Sequence, residues 1–117
     1  MATRDDAIRI ALTLPEVEIG RAWGTTDYRV GNRLFLAFTV PDRATLKLDP
    51  ELAELLIASD AATYVPHRGY FGSSGWVRVA FERVDVDTLR DLVEQSWFNV
   101  APVRIRNAWL SARNHPG

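Results

Sequence analysis

The amino-acid sequence predicts an α+β fold of two layers, in which an antiparallel sheet packs on helices. Short β-rich segments alternate with a period of two over residues 34–48 and 76–81, while apolar residues recur at helical spacing elsewhere. Turn residues separate the early strands by only a few positions, and strands joined by hairpins are antiparallel. The helices are therefore expected to cover mainly one face of the sheet.

Length and composition predict one domain over residues 1–117. The 117 residues are 47% hydrophobic and 25% charged, which are ordinary values for a globular protein. No apolar run approaches the roughly 20 residues that cross a bilayer, and the first ten residues lack the apolar core of a signal peptide. Cysteine is absent, which excludes disulfides and thiolate chemistry. We expect a cytoplasmic protein with no membrane partner.

The charge is balanced overall but unevenly distributed. Fourteen basic and fifteen acidic residues give a net charge of −1, whereas a nucleic-acid-binding protein usually has a basic excess. No acidic residue follows Glu94, so residues 95–117 carry +3 and residues 1–94 carry −4. A modest basic face near the end of the chain is therefore compatible with the sequence.

The first helix is predicted to begin after Thr3, a good N-cap, with Asp5 and Asp6 in its positive first turn. Pro15 ends this helix near Leu14. Helical spacing predicts that its buried face consists of Ala7, Ile8, Ala11 and Leu12.

Residues 17–48 are predicted to form strands. The segments "VEIGRAW" and "YRVG" are short and β-rich, and "GTTD" and "GNR" separate them as turns. Both faces of "LFLAFTV" are largely apolar, which is typical of a central strand covered on both sides. In "ATLKL", the apolar Ala44, Leu46 and Leu48 alternate with Thr45 and Lys47, which predicts a half-buried strand.

The second half of the chain alternates helices and strands. Asp49 and Pro50 begin a second helix, "TYVP" and "WVRVAFERV" follow as strands, and Asp85 or Asp87 caps a third helix. Pro102 separates this helix from a last short one that ends near Arg113, and "NHPG" forms a frayed tail. The predicted buried stripes are Leu52, Leu55 and Leu56 on the second helix, and Leu89, Leu92, Val93, Trp97 and Val100 on the third.

The sequence contains no common enzyme signature. It lacks the phosphate-binding G-x-x-x-x-G-K and dinucleotide-binding G-x-G-x-x-G patterns, and "GSSG" is not the G-x-S-x-G nucleophile elbow. Its two histidines, His67 and His115, do not lie in an H-E-x-x-H motif. We therefore expect a protein that is not an enzyme and that has no cofactor and no metal.

Five segments together resemble the MmcQ/YjbR-like family, over about Leu14 to Pro102. They are, in order, "LPEVEIGRAWG", "DYRVGNRLFLAF", "TLKLDPE", "GYFGSSGWVRVAF" and "LRDLVEQSWFNVAP". The resemblance implies a YjbR-like, secretion-chaperone-like fold, with an antiparallel sheet packed on helices. Members of this family are described as binding DNA through a double-wing motif, and the family supplies no established catalytic residues. One difference is Phe71, where relatives often have tryptophan.

The glycine-rich stretch "HRGYFGSSGWVRV" contains several of the candidate binding residues. In one interpretation its glycines shape a tight connection and its aromatic residues cover the edge of the sheet. In the other it is a wing, in which Arg68 and backbone N–H groups contact phosphate while Tyr70 stacks on a base or sugar.

The remaining candidate residues lie on predicted strands, at turns and on the last helix. Lys47 is either a solvated strand lysine or a phosphate contact, and Arg78 would form a small cationic patch with it if the two share a face. Trp23 is a core anchor or lines a pocket together with Trp76. A first wing around Arg29 and Arg33, and a basic face with Arg104, Arg106 and Trp109, are further possibilities.

Three functions compete on these residues. The first is weak DNA binding through phosphate contacts of the glycine-rich wing. The second is a chaperone-like protein-interaction module that binds a protein partner or forms a homodimer through an exposed sheet edge or face. The third is a small-ligand-binding domain, with a cleft under the glycine-rich stretch.

Overall fold

The computed structural model of the chain describes residues 1–21, 25–67 and 74–113. These residues form four α-helices, which are α1 (Arg4–Thr13), α2 (Pro50–Ser59), α3 (Val86–Val100) and α4 (Val103–Arg113). They also form six strands, which are β1 (Glu18–Gly20), β2 (Asp27–Val30), β3 (Arg33–Val40), β4 (Arg43–Lys47), β5 (Tyr64–Pro66) and β6 (Trp76–Ala80). A 3₁₀ turn, Phe81–Arg83, connects β6 to α3.

The strands form one antiparallel sheet in the order β1-β2-β3-β4-β6-β5. The predicted α+β fold with an antiparallel sheet packed on helices is therefore confirmed. The connection through α2 and β5 sends the chain past β4, so β6 returns between β4 and β5. Strand β3 is central as expected, and four consecutive residues from Phe35 to Phe38 are buried.

Strand β4 is more buried than its alternation predicts. Ala44 and Leu46 are fully buried as expected, but Thr45 on the opposite face is also buried. The prediction of a half-buried strand is wrong at this position, because the Thr45 hydroxyl lies 2.9 Å from that of Thr39 on β3. A polar side chain that finds a partner on the neighbouring strand can be buried at little cost.

The helices pack on one face of the sheet. Helices α1 and α3 contact the central strands and each other, and α2 lies against β5 and β6. The stripe predicted for α3 is confirmed at Leu89, Leu92, Val93 and Trp97, all of them buried, while Val100 packs partly buried against the same core.

The buried face of α1 differs from the prediction by a rotation of the helix. Leu12 is 51% exposed, whereas Ile10 is buried. The observed stripe continues beyond the end of the helix to Leu14, at the spacing i, i+3, i+4 and i+7 that one helical face presents. Its residues are Ala7, Ile10, Ala11 and Leu14.

Helix α2 also buries a different stripe from the one predicted. Leu55 is 67% exposed, and Ala53 is the fully buried residue of this helix. Leu52, Leu56 and Ile57 pack partly buried beside it. The small side chain of Ala53 faces the core, so the larger residues flank the contact with β5 and β6 rather than forming its centre.

The predicted helix boundaries are confirmed by their caps. The Thr3 hydroxyl accepts the Asp6 N–H at 3.1 Å, and the Asp6 carboxylate accepts the Thr3 N–H at 3.0 Å, which forms a capping box. Of the two candidate caps for α3, Asp85 is used. No helix in the described parts of the chain is long and apolar enough to span a membrane.

Candidate functional site

The sheet face opposite the helices carries a diagonal row of basic side chains. In the β4–β6 register, Lys47 lies opposite Trp76, Thr45 opposite Arg78, and Arg43 opposite Ala80. Arg78 is therefore the diagonal neighbour of both Arg43 and Lys47, a relation in which residues lie roughly 7–8 Å apart. Neither strand contains an acidic residue. We call Arg43, Lys47 and Arg78 the basic row.

Arg43 and Arg78 of the basic row differ in the hydrogen bonds that their guanidinium groups make. The Arg43 guanidinium donates to the carbonyl oxygens of Thr63 and Ala62, both at 3.2 Å, which ties β4 to the turn before β5. Arg78 is half-buried, and its buried Nε has no hydrogen-bond partner within the described chain. A buried donor without a partner is costly, so Arg78 is the member that would gain most from an added acceptor.

Lys47 stands at the end of the glycine-rich stretch. Its Nζ donates to the Ser74 carbonyl oxygen and lies 5.8 Å from the centroid of the Trp76 ring. The Trp76 ring is in turn 6.4 Å from that of His67, at the other end of the stretch. Lys47 therefore fixes the loop end that leads into β6, a structural role that the sequence did not predict.

Gly75 brings this loop end against β4. Its φ is +82°, and a Cβ at this position would collide with the Leu48 carbonyl oxygen. The Leu48 N–H donates to the Gly75 carbonyl oxygen at 2.8 Å. Only glycine allows this combination of left-handed backbone and close approach, which explains one glycine of the stretch.

The predicted site residues are only partly within the described chain. Lys47, Trp76 and Arg78 come together on one face of β4 and β6, as the alternation of these strands indicated. Trp23, Arg68 and Tyr70 lie outside the described residues, so their predicted roles stay predictions.

Sequence comparison assigns the chain to a family. The sequence model of the YjbR family matches residues 12–99, about three quarters of the chain. The chain belongs to the YjbR family. No curated protein is significantly similar to it in sequence.

A solved structure shares the fold of this YjbR protein. The crystal structure of Deinococcus radiodurans protein DR2400, a DUF419 domain, superposes with a TM-score of 0.74 at 25% sequence identity. The similarity covers 99% of this chain and 91% of the DR2400 chain. The resemblance seen in the five sequence segments is thereby confirmed for both family and fold.

Two residues of α3 hold the backbone of Lys47 in this YjbR protein, and sequence reasoning missed both. The buried Ser96 hydroxyl accepts the Lys47 N–H at 3.1 Å and lies 2.6 Å from the Phe35 carbonyl oxygen and 2.8 Å from that of Lys47. The Asn99 side-chain amide donates to the same Lys47 carbonyl at 3.4 Å. The sequence feature that could have identified Ser96 is the presence of a serine on the apolar stripe of α3, between Val93 and Trp97.

The residues of the hypothetical first wing have separate environments. Arg29 donates to the buried Asp27 carboxylate from Nε at 2.9 Å and from its terminal nitrogen at 3.3 Å. This hydrogen bond and the charge of Asp27 raise the pKa of Arg29 above its ordinary value. Arg33 is exposed at the end of the β2–β3 hairpin. The two arginines therefore do not form one basic surface.

Two cavities of the YjbR protein have no member of the basic row among their lining residues. The larger cavity, of about 470 Å³, lies between α3 and α4. The smaller cavity, of about 290 Å³, lies between the β2–β3 hairpin and the start of α4. The larger cavity is lined by Asp91, Glu94, Gln95, Phe98, Trp109, Leu110 and Arg113. The smaller is lined by Gly31, Arg33, Asn99, Val100, Ala101, Pro102, Val103 and Arg106.

Proposed function

We propose that this YjbR protein binds duplex DNA weakly and without sequence preference, through phosphate contacts from the basic row and the glycine-rich stretch. The supporting observation is the position of Arg78, diagonal to Lys47 and Arg43 on strands that contain no acidic residue. Like charges at neighbouring sheet positions repel one another, and an anionic backbone laid along them relieves the repulsion.

The basic row and the stretch have complementary roles in this proposal. Arg78 supplies the main phosphate contact, because its side chain makes no hydrogen bond within the described chain, whereas Arg43 and Lys47 already donate to carbonyl oxygens. Lys47 contributes charge while it holds the loop end through the Ser74 carbonyl. Arg68 provides a further phosphate contact from the wing, and Tyr70 stacks on a base or sugar. Trp76 and Trp23 are the remaining proposed contact residues.

The small number of cationic contacts sets the expected affinity. Each neutralised phosphate contributes about −0.9 to the slope of log affinity against log salt concentration, so three contacts give a slope of about −3. Binding is therefore expected at low salt and should be weak at physiological salt. The net charge of −1 agrees with weak binding, because the protein as a whole does not attract polyanions.

The test is fluorescence anisotropy of labelled duplexes of two unrelated sequences, titrated at several salt concentrations. Arg78→Gln and Arg68→Gln should each reduce the salt slope by about one and leave the ratio of affinities for the two duplexes unchanged. Lys47→Gln should act in the same direction. The matched control is Arg90→Gln, because Arg90 is exposed on α3, in the helix layer on the opposite face.

Two results would overturn the proposal. One is the absence of wild-type binding at the lowest salt concentration. The other is a salt slope that Arg78→Gln changes no more than Arg90→Gln does. In either case the basic row is structural, and the protein-interaction function becomes the leading hypothesis.

A further inference from the structure

We propose that the smaller cavity, between the β2–β3 hairpin and the start of α4, is a binding site for a phosphate group. This site is separate from the basic row and does not depend on DNA binding. It is formed by Arg33 from the hairpin, Arg106 from α4 and Asn99 from the last turn of α3.

The charge of the cavity is positive and uncompensated. Arg33 and Arg106 both line it, and none of the described residues that line it is acidic. The neighbouring Arg104, by contrast, has a carboxylate partner, because its guanidinium lies 3.6 Å from the Glu16 carboxylate. Two arginines that line one cavity without an acidic residue favour the binding of an anion there.

The Arg106 side chain packs on an aromatic ring, and one of its hydrogen-bond donors has no acceptor in the described chain. Its guanidinium carbon lies 5.3 Å from the centroid of the Phe98 ring, which fixes the side chain by a cation–π contact. Its Nε is buried without a hydrogen-bond partner in the described chain. An oxyanion in the cavity would offset, by its charge, the desolvation cost that the Arg106 guanidinium carries.

The β2–β3 hairpin packs closely against the α3–α4 junction at this cavity. Gly31 and Asn32 form the hairpin turn with φ of +58° and +64°. A Cβ on Gly31 would come within 2.8 Å of the Pro102 ring, so the turn lies directly against the α3–α4 junction. Helix α4 has no acidic residue in its first turn, and the positive end of its dipole adds to the field of the two arginines.

The size of the cavity selects a small ligand. Its volume of about 290 Å³ is just below the roughly 300–1,000 Å³ found for ligand pockets. The chemistry therefore fits a single phosphate group, either as free orthophosphate or as the phosphate of a small monoester. Planar guanidinium groups bind such tetrahedral oxyanions in a bidentate manner.

The experiment is an NMR titration of the ¹⁵N-labelled protein with sodium orthophosphate and, separately, with glycerol phosphate, each at constant ionic strength set with chloride. Saturable shifts are expected at the Gly31 and Val103 amides and at the Asn99 side-chain amide. Arg106→Gln should weaken the affinity about tenfold or more, because a charged hydrogen-bond donor is lost. Arg106→Lys, which keeps the charge but not the fork of donors, should weaken it less. The matched control, Arg104→Gln on the same helix, should bind as wild type does.

Saturation by both ligands identifies a site that accepts any terminal phosphate, and saturation by orthophosphate alone identifies a site for the free ion. Linear shifts that match those caused by chloride overturn the proposal. So does an Arg106→Gln variant that keeps its fold, by circular dichroism, and the wild-type affinity. Arg78→Gln should leave the phosphate titration unchanged, so failure of the DNA proposal and failure of this one are distinguishable.

Discussion

Two consecutive residues of α3 connect the helix layer to the rest of the protein in different ways. Trp97 is fully buried, and its Nε1 donates to the Pro15 carbonyl oxygen at 3.1 Å. Its ring centroid lies 5.2 Å from that of Trp109 on α4. Ser96 instead inserts a hydroxyl between the backbones of β3 and β4. Trp97 therefore provides apolar volume and one hydrogen bond, whereas Ser96 acts through the hydrogen bonds of its hydroxyl.

Replacing Trp97 with alanine should lower the free energy of unfolding by about 3–5 kcal/mol, because a large cavity remains in the core. Urea unfolding followed by circular dichroism measures this change. Trp97→Phe should fall between wild type and Trp97→Ala, since it keeps a ring but removes the donor to Pro15. Leu55→Ala, at a largely exposed position of α2, is the control and should change the stability little. A Trp97→Ala variant as stable as this control would contradict the packing described for α3.

Ser96→Ala should lower the free energy of unfolding by about 1–3 kcal/mol, although it removes only one oxygen atom. The Lys47 N–H and the Phe35 carbonyl would both lose their partner in a site that water does not reach. The control is Ser59→Ala on α2, whose exposed hydroxyl bonds only to the carbonyl of its own helix. Equal effects of the two substitutions in urea unfolding would argue against the inserted hydroxyl.

Helix caps were the elements that the sequence predicted best, because a cap depends on a few neighbouring residues. Thr3, Asp49 and Asp85 all begin the helices assigned to them. The buried faces of α1 and α2 were predicted less well. Both helices contain more apolar residues than one face needs, so the identity of the buried stripe depends on what the helix packs against. Leu12 and Leu55 are exposed for this reason.

The cap of α3 should make the stability of the protein depend on pH. The Asp85 carboxylate accepts the Thr88 N–H at 2.7 Å, and this bond holds the pKa of Asp85 below its ordinary value of 3.8. A carboxyl whose pKa is lower in the folded state stabilises the protein above its ordinary pKa. This stabilisation is lost as the pH falls through the lowered value.

Asp85→Asn should therefore lose less stability than wild type when the pH falls from about 7 to about 3, because asparagine caps without titrating. Urea midpoints at the two pH values measure the difference. The control is Asp87→Asn, which removes an exposed carboxylate of the same first turn. If wild type and Asp85→Asn lose the same stability, the cap does not contribute to the acid sensitivity.

On the scale of the whole molecule, the sequence predicted the layers and the family, but not the order of the strands. Alternation and turn residues are local, whereas the return of β6 between β4 and β5 depends on contacts between distant segments. The same limit applies to the candidate site. Alternation within β4 predicted that Lys47 points away from the core, and alternation within β6 placed Arg78 on the same face as Trp76. The register that makes Lys47 and Arg78 diagonal neighbours was visible only in the structure. The cavity at α4 joins Arg33 to Arg106 across more than seventy positions, a distance that no sequence pattern bridges.

The two edges of the sheet bear on the proposed protein-interaction alternative. Strands β1 and β5 each contain only three residues, and β5 ends at Pro66, which has no N–H to donate. Short edges interrupted by proline are poor templates for pairing with another chain. We therefore predict that sedimentation velocity shows a single species near the monomer mass of 13.2 kDa across a range of protein concentrations. A dimer that Pro66→Ala strengthens would show that an edge is used after all.

The hydroxyl of Ser96 also has a consequence for the order of folding. It joins α3 to backbone groups that precede it by 49 and 61 positions, and these groups lie where β3 and β4 face each other. The β3–β4 hairpin is local and can close early, but this end of it stays incomplete until α3 arrives. Contacts that span so much chain form slowly, because a long loop must first close. Completion of this end of the hairpin therefore depends on a helix, and a nascent chain that ends before α3 lacks the Ser96 hydroxyl beside Lys47.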